Sequence, residues 1–164
     1  MNAPDPIDKA SLLGELTALL TAELEAARAA HANAIEGATH EEARPENDKD
    51  TRGLEQSYLA RGHAERVARL EIELVQLAQM PVVAVPEEGP ITVGALALLI
   101  DEATQRRSRV WLVSHGGGKT LAGGITTVTP SAPLGRAILG LSVDEEAEIG
   151  AGKGKRTLRV ERIE

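Results

Sequence analysis

The chain of 164 residues has no cysteine and no phenylalanine, and only one tryptophan and one tyrosine. Without cysteine there is neither a disulfide framework nor a thiolate zinc site, and nothing suggests an oxidising compartment. With so few aromatic rings, the core must be built from Leu, Val, Ile and Ala, and a pocket walled by aromatic side chains is not expected. No apolar run reaches the length of a membrane span, and the first residues lack the pattern of a signal peptide. We therefore expect a soluble, cytoplasmic protein without membrane contact.

The net charge of −7 limits the possible partners further. Binding to the phosphates of nucleic acids needs clustered Lys and Arg, so sequence-specific DNA binding is not expected. Apolar residues make up 42% of the chain, which is enough for a core. This length allows one ordinary domain or two small ones.

Residues 1–80 are predicted to form an antiparallel coiled-coil hairpin. The first helix is expected from Asp8 to about Ile35, with Asp8 and Ser11 as candidate caps. The second runs from about Thr51 to Gln79. At about 1.5 Å per residue, a helix of roughly 28 residues spans about 40 Å. The predicted apolar stripe comprises Leu13, Leu16, Leu20, Leu24, Ala27, His31 and Ala34, and on the second helix Leu54, Tyr58, Val67, Leu70, Leu74 and Leu77.

The connection between the two helices, residues 40–50, is rich in acid. It holds five carboxylates and one proline. Carboxylates gathered at a hairpin tip either remain solvated or bind a hard cation or a basic pocket. Two of them can hold Mg²⁺ weakly, because that ion keeps most of its waters. The stretch does not match a calcium loop, since the expected Gly and the terminal Glu are absent.

The second half of the chain predicts a small sheet domain. Residues 81–90 contain three prolines and form a linker. Residues 91–164 then predict an antiparallel sheet with one short helix, giving an α+β protein. The helix is expected over Ser131–Gly140, with Pro133 in its first turn. The expected strands are Val93–Asp101, Ser108–His115, Ile125–Thr129, Glu145–Ile149 and Arg156–Ile163.

Two candidate motifs do not hold. The segment Gly116–Thr120 resembles a phosphate-binding loop, but Val113 stands where such a loop needs its first Gly. A strand is also expected after it, where a phosphate-binding loop needs a helix, so we interpret the segment as a hairpin turn. The four histidines show no metal-ligand spacing, and no pair of nucleophile and base can be identified.

The segment Thr127–Gly140 resembles the "SPxGRALLG" segment of the bacterial Gre transcript-cleavage factors. As in that family, an acidic strand, Asp144–Ile149, and a last strand, Arg156–Ile163, follow it. At the tip, Glu46-Asn47 is similar to the Glu-Asn pair of the family's catalytic loop. The resemblance covers most of the chain and is more specific over the C-terminal domain than over the helices.

The resemblance implies an FKBP-like C-terminal domain that docks at the mouth of the secondary channel of RNA polymerase. The coiled coil would enter the channel and bring acids to an Mg²⁺ ion shared with the polymerase active centre. The factor would then stimulate the polymerase's own cleavage of backtracked RNA, touching nascent RNA only indirectly, and would not be an enzyme itself. The implied residues are Glu46 and Asp50 for catalysis, Glu46, Asp48 and Asp50 for the metal, and Ser131, Pro133, Gly135 and Arg136 for docking.

The tip departs from the family pattern at one position. Ala43 stands where the family has its first acid. Counting from the second helix instead puts Glu46 in that place and Lys49 in the place of its partner, with Asp48 and Asp50 beside it. A non-cleaving or inhibitory binder of the polymerase channel is therefore an alternative. A structural coiled-coil adaptor is an alternative from another class.

Two further expectations concern the C-terminal domain. An FKBP-like fold raises the possibility of prolyl isomerase activity, but this domain offers only Trp111 as an aromatic wall, so that activity is not expected. Leu134, Ile138 and Leu139 are expected in the core more than at the docking contact.

Overall fold

A computed structural model of the chain describes residues 7–39, 52–82 and 89–164. The chain divides into two compact units, Met1–Thr17 with Gln76–Glu164, and Ala18–Val75. These units are defined by contacts within the fold, whereas the borders expected at residues 80 and 91 rest on changes in sequence pattern and stay a prediction. Residues 83–88 of the expected linker lie outside the described residues.

Two long helices make up the first part of the chain, as predicted. Helix α1 spans Lys9–Thr39 and helix α2 spans Arg52–Ala78. The cap of α1 is Asp8 rather than Ser11, because Asp8 Oδ1 accepts the backbone N–H of Ala10 at 3.0 Å and that of Ser11 at 3.2 Å. These two N–H groups have no partner inside the helix, so the carboxylate stabilises its first turn.

The buried stripe of α1 follows the predicted spacing with one shift. Leu12 is buried and Leu13 is only half-buried, so the stripe begins one residue earlier than expected. The buried apolar residues of α1 are Leu12, Leu16, Leu20, Leu24, Ala27 and Ala34. The buried residues are leucines near the start of α1 and alanines toward its end. The alanines are small, so the partner helix can approach α1 more closely toward that end.

On α2 the predicted stripe is wrong at its start. Leu54 and Tyr58 are 57% and 65% exposed. The residues that meet α1 are Gln56, whose side chain lies 3.2 Å from a Cβ built on Gly37, and Ala60, whose carbonyl lies 2.9 Å from His31 Nδ1. Because two residues turn a helix by about 200°, Tyr58 faces away from α1 when Gln56 and Ala60 face it.

Ion pairs join the outer faces of the two helices. Arg28 contacts Glu25 and Glu71, each at 2.8 Å, and Arg66 lies 3.7 Å from Glu23. The side chains are substantially exposed to solvent, which screens the charges, so these pairs contribute little to stability. The buried apolar stripe, not these pairs, holds the hairpin together.

Replacing Gly62 by alanine is expected to stabilise α2. Gly62 lies inside the helix, and a Cβ built there meets nothing within 4 Å. Alanine favours a helix interior by about 1 kcal/mol over glycine. Urea denaturation should show a higher midpoint with an unchanged slope. An unchanged or lower midpoint would mean that this turn is not helical in solution.

Among its described residues, the sheet unit contains six strands and, besides the start of α1 and the end of α2, one short α-helix. Strand order in the sheet is β3-β4-β2-β1-β6-β5. Short 3₁₀ turns at Ala122–Gly124 and Gly152–Gly154 precede β4 and β6. The elements are β1 Leu96–Asp101, β2 Arg107–Leu112, β3 Thr120–Leu121, β4 Ile125–Val128, α3 Pro133–Ile138, β5 Glu146–Ile149 and β6 Arg156–Ile163.

The expectation of a wholly antiparallel sheet is wrong for one pair of strands. β2 and β4 run parallel, with Leu112 opposite Val128. The reason is the two-residue strand β3, which pairs antiparallel with β4 at Thr120 and Thr126. The chain leaves β2, returns through β3, and therefore enters β4 in the direction of β2.

The core of the sheet unit lies between one sheet face and α3. Ile138 of α3 is fully buried in it. Trp111 lies between Val110 and Leu112 on β2 and is not a member of this core, but it is also fully buried, and its indole N–H donates to the carbonyl of Gly94 at 3.1 Å. An indole held in this way cannot line an open proline pocket. The buried members are Ile91, Ala95, Ala97, Leu99, Val110, Leu112, Val128, Ile138, Ala147, Leu158, Val160 and Ile163.

The first turns of α1 belong to the sheet unit and are bonded to it. Lys9 Nζ donates to the carbonyl of Glu164 at 2.6 Å, and Glu15 Oε2 accepts the N–H of Ala122 at 3.0 Å. Burial lowers the pKa of Lys9, and the charge of Glu164 opposes that shift. These bonds fix the start of α1 on the sheet unit, to which the fully buried Leu16 and Leu77 also belong.

Replacing Asp101 by asparagine is expected to change how stability depends on pH. Asp101 Oδ1 accepts the N–H of Thr104 at 2.9 Å and that of Ala103 at 3.1 Å. The bond from Thr104 is the main cause that lowers the pKa of Asp101 in the folded state. A carboxylate with a lowered pKa stabilises the fold above its unfolded pKa of about 4, and this contribution is lost as pH falls through the folded pKa.

Wild type should therefore be more stable than Asp101→Asn at neutral pH, and the difference should shrink below about pH 4. Denaturation midpoints measured across this range test the prediction. Glu146→Gln, an exposed acid on β5, is the control. A difference between wild type and Asp101→Asn that does not change with pH would contradict it.

Candidate functional site

The acidic residues predicted to act, Glu46, Asp48 and Asp50, lie in residues 40–51, outside the described residues. Their roles stay predictions. The helix ends on either side are described: α1 ends at Thr39 and α2 begins at Arg52. The acidic stretch thus connects the C-terminal end of α1 to the N-terminal end of α2.

The rest of the described chain offers no metal centre. Within residues 7–39, 52–82 and 89–164, no three His, Asp or Glu side chains come together in a group that could hold an ion. None of the described helices is long and apolar enough to span a membrane.

The predicted docking residues lie together where β4 leads into α3. Ser131, Pro133 and Arg136 are exposed, whereas Gly135 is buried. Pro133 occupies the first turn of α3, where its missing N–H costs no hydrogen bond. The segment is therefore a surface feature with one buried glycine beneath it.

Gly135 permits a close approach of two backbones. A Cβ built on Gly135 would lie 2.0 Å from the carbonyl oxygen of Thr129 and 2.8 Å from its carbon. Any side chain there would collide with backbone that cannot rotate away. Gly135 thus positions α3 against the end of β4, and its role is structural rather than one of direct contact.

Local hydrogen bonds set the shape of the exposed part. Arg136 Nη1 donates to the carbonyl of Ser131, and the hydroxyls of Thr129 and Ser131 lie 3.0 Å apart. The N–H of Ala132 donates to the carbonyl of Thr129 at 3.0 Å. This arrangement presents a hydroxyl, a guanidinium and a proline ring to solvent, which suits contact with another macromolecule and includes no nucleophile with a base.

The three apolar residues of the segment divide between core and surface. Ile138 is fully buried and Leu134 packs against the core, as expected. Leu139 is 45% exposed, so its assignment to the core is wrong. Leu134 and Ile138 are four residues apart and share one face of α3, while Leu139 follows the helix and extends the exposed segment.

Residues 86–164 match the family model described as "Transcription elongation factor, GreA/GreB, C-term". The comparison with curated proteins found no match.

Several solved structures are similar to this chain. Gfh1 of Thermus thermophilus, a GreA factor homolog, is 24% identical over 90% of this chain and 94% of its own, with a TM-score of 0.38. Gfh1 of Thermus aquaticus is 26% identical over 88% and 90%, with a TM-score of 0.41. A GreA/GreB elongation factor from Nitrosomonas europaea is 21% identical over 61% and 90%, with a TM-score of 0.38.

Proposed function

Because residues 86–164 form a GreA/GreB C-terminal domain, which confirms the resemblance found in the sequence, we propose that this protein is a transcription elongation factor that binds RNA polymerase. It enters the secondary channel and stimulates cleavage of backtracked RNA. This partner implies a cytoplasmic location. The main support for the proposal is that this domain occurs on the same chain as two long helices, and that the connection between those helices contains five carboxylates.

The hairpin is suited to carry acids into a narrow opening. Residues 18–39 of α1 correspond to about 33 Å of helix at 1.5 Å per residue. The stripe of α1 changes from leucine to alanine along this length, with Ala27 and Ala34 buried. Small residues keep two helices close together, so the hairpin stays slim as well as long.

The acids of residues 40–51 would act by supplying oxygen ligands. Glu46, Asp48 and Asp50 carry the carboxylates that Mg²⁺ prefers in proteins. A bound Mg²⁺ lowers the pKa of a coordinated water and offsets negative charge that develops on phosphate. The chain itself would contribute only these carboxylates. The polymerase performs the cleavage, so the protein is not an enzyme on its own.

A non-cleaving or inhibitory channel binder is the second candidate. The observation that favours it is Ala43, which stands where the family has its first acid. With one carboxylate fewer at that position, the tip could occupy the channel without completing a metal site. The two candidates share the partner and the docking surface and differ only in what the tip does.

One assay separates them. A stalled, backtracked complex with labelled RNA is incubated in Mg²⁺ with and without excess protein. Faster shortening of the RNA supports cleavage stimulation, and RNA mixed with the protein alone should remain intact. Binding without acceleration would favour the inhibitory candidate. Failure to bind polymerase in a pull-down would contradict both and leave the structural adaptor.

A further inference from the structure

We propose that the glycine-rich segment Ser114–Lys119, called here the glycine loop, forms a second part of the docking surface and meets a carboxylate-bearing face of the partner protein. The first part is the segment Thr129–Arg136, called here the α3 loop. This inference rests on the proposed function, because the partner is taken to be RNA polymerase.

The two loops leave the sheet at the same end of two neighbouring strands. The glycine loop follows β2 and the α3 loop follows β4, and these strands are parallel neighbours, with Leu112 opposite Val128. Loops that follow neighbouring parallel strands leave the sheet at the same end and therefore lie side by side. The parallel pair, which the sequence pattern did not reveal, is what brings them together.

The loops touch at Thr129. A Cβ built on Gly117 would lie 3.1 Å from Thr129 Cγ2 and 3.2 Å from its backbone nitrogen. Gly135 approaches the carbonyl of the same residue. Thr129 is thus contacted by a glycine from each loop, and the two loops form one continuous surface.

The glycine loop is held in a defined shape. Thr127 is fully buried, and its Oγ1 donates to the carbonyl of Gly116 at 2.6 Å and accepts the N–H of Lys119 at 3.0 Å. The N–H of Gly118 donates to the carbonyl of Thr127 at 2.7 Å. A mere connection between strands needs no buried hydroxyl to fix it, whereas a contact surface benefits from a preformed shape.

The charge of this region is opposite to that of the chain. No Asp or Glu occurs between Glu102 and Asp144, although the chain has 25 acids and a net charge of −7. The same interval contains five Arg or Lys residues, but Arg106, Arg107 and Arg109 lie at or just before the start of β2, at the other end of that strand from the glycine loop. Lys119 and Arg136 bring two of these cations to the two loops, so the complementary partner face carries carboxylates.

A protein face fits this surface better than nucleic acid. Two cations do not make the cluster of Lys and Arg that phosphate binding needs. Exposed Pro133 and the 45% exposed Leu139 add apolar area, which a protein partner can cover. Two buried atoms, Ser114 Oγ and His115 Nδ1, lack hydrogen-bond partners among the described residues. Burying a polar atom without a hydrogen bond lowers the stability of the fold by about 1–3 kcal/mol. Stability alone therefore does not explain why Ser114 and His115 occur in this loop.

Charge reversal at Lys119 tests the inference in the full-length protein. Lys119→Glu is expected to bind core RNA polymerase about tenfold more weakly than wild type, and its affinity should depend less on salt. Lys155→Glu is the matched control, because Lys155 has a 52% exposed side chain and lies beside the opposite edge strand, β5. It should bind like wild type.

Each other outcome is decisive. Wild-type affinity for Lys119→Glu, with weakened binding for Arg136→Glu, would overturn the inference and leave the proposed function standing. Equal losses in Lys119→Glu and Lys155→Glu would show an effect of net charge alone and overturn it as well. If wild type itself does not bind, both fall. If Lys119→Glu unfolds, Lys119→Gln must weaken binding in the same direction, and wild-type affinity for that variant overturns the inference.

Discussion

Replacing Glu46 and Asp50 together by alanine is expected to abolish the acceleration of RNA cleavage and to leave polymerase binding unchanged. If these carboxylates help hold the ion that activates water, their loss removes several kcal/mol of transition-state stabilisation. Because each 1.4 kcal/mol is a factor of ten in rate, the acceleration should fall about a hundredfold or more. The measurement is the rate of RNA shortening in a backtracked complex at saturating factor.

The control for this variant lies in the same stretch. Glu41 and Glu42 replaced together by alanine remove the same charge from the same connection. That control should retain the acceleration, because the assigned role belongs to particular carboxylates and not to the total charge. Equal losses of acceleration in both variants would show that the tip acts through its total negative charge and not through particular carboxylates. Full acceleration by Glu46→Ala with Asp50→Ala would show that other residues act.

Replacing Gly135 by alanine is expected to destabilise the sheet unit by about 3 kcal/mol or more, since overpacking against rigid surroundings typically costs 1–3 kcal/mol. The new methyl carbon would stand 2.0 Å from the carbonyl oxygen of Thr129. Relief requires α3 to move away from β4, which displaces Ser131 and Arg136. Stability and polymerase binding should therefore fall together.

Fluorescence of Trp111, the only tryptophan and fully buried, reports the unfolding of this unit. Gly154→Ala is the control, because a Cβ built at that glycine meets nothing within 4 Å. Its denaturation midpoint should stay near that of wild type. A Gly135→Ala protein as stable as this control would show that the chain relaxes around the collision, and the positioning role of Gly135 would be wrong.

The sequence predicted both helices well where large apolar residues mark the buried stripe. It failed at the start of α2, where the inward positions are Gln56 and Ala60 and the large side chains Leu54 and Tyr58 point outward. Hydrophobic periodicity follows the larger apolar residues, so it extends a stripe through them. Two closely packed helices reverse that preference, because only small or slender side chains fit between them.

The sheet shows a different limit of prediction from sequence, which concerns the direction of a strand. The strand Arg156–Ile163 was predicted with its observed ends, but the direction of β4 relative to β2 was not. Alternation of apolar and polar residues is the same in parallel and antiparallel strands, so it carries no direction. The direction depends on β3, and two residues are too few to show a period.

The predicted docking segment was identified by its sequence motif, and its docking role stays a prediction, but the motif did not separate its exposed residues from its buried one. Three of the four predicted residues are exposed, and Gly135 is buried by an approach to Thr129. The glycine loop, interpreted as a simple turn, meets the same threonine. Both contacts join residues that are brought together by the fold, and no local pattern encodes them.

The pairing of β1 with β6 bears on the order in which the helical hairpin and the sheet fold. Leu99 pairs with Val160, 61 residues further along the chain, whereas His31 reaches Ala60 across 29. Closing the longer loop costs more entropy before any contact repays it, and sheets built on distant pairings fold more slowly than helical hairpins. We therefore expect a newly made chain to form its helical hairpin before its sheet, and one side of β1 to stay unpaired until β6 has been made.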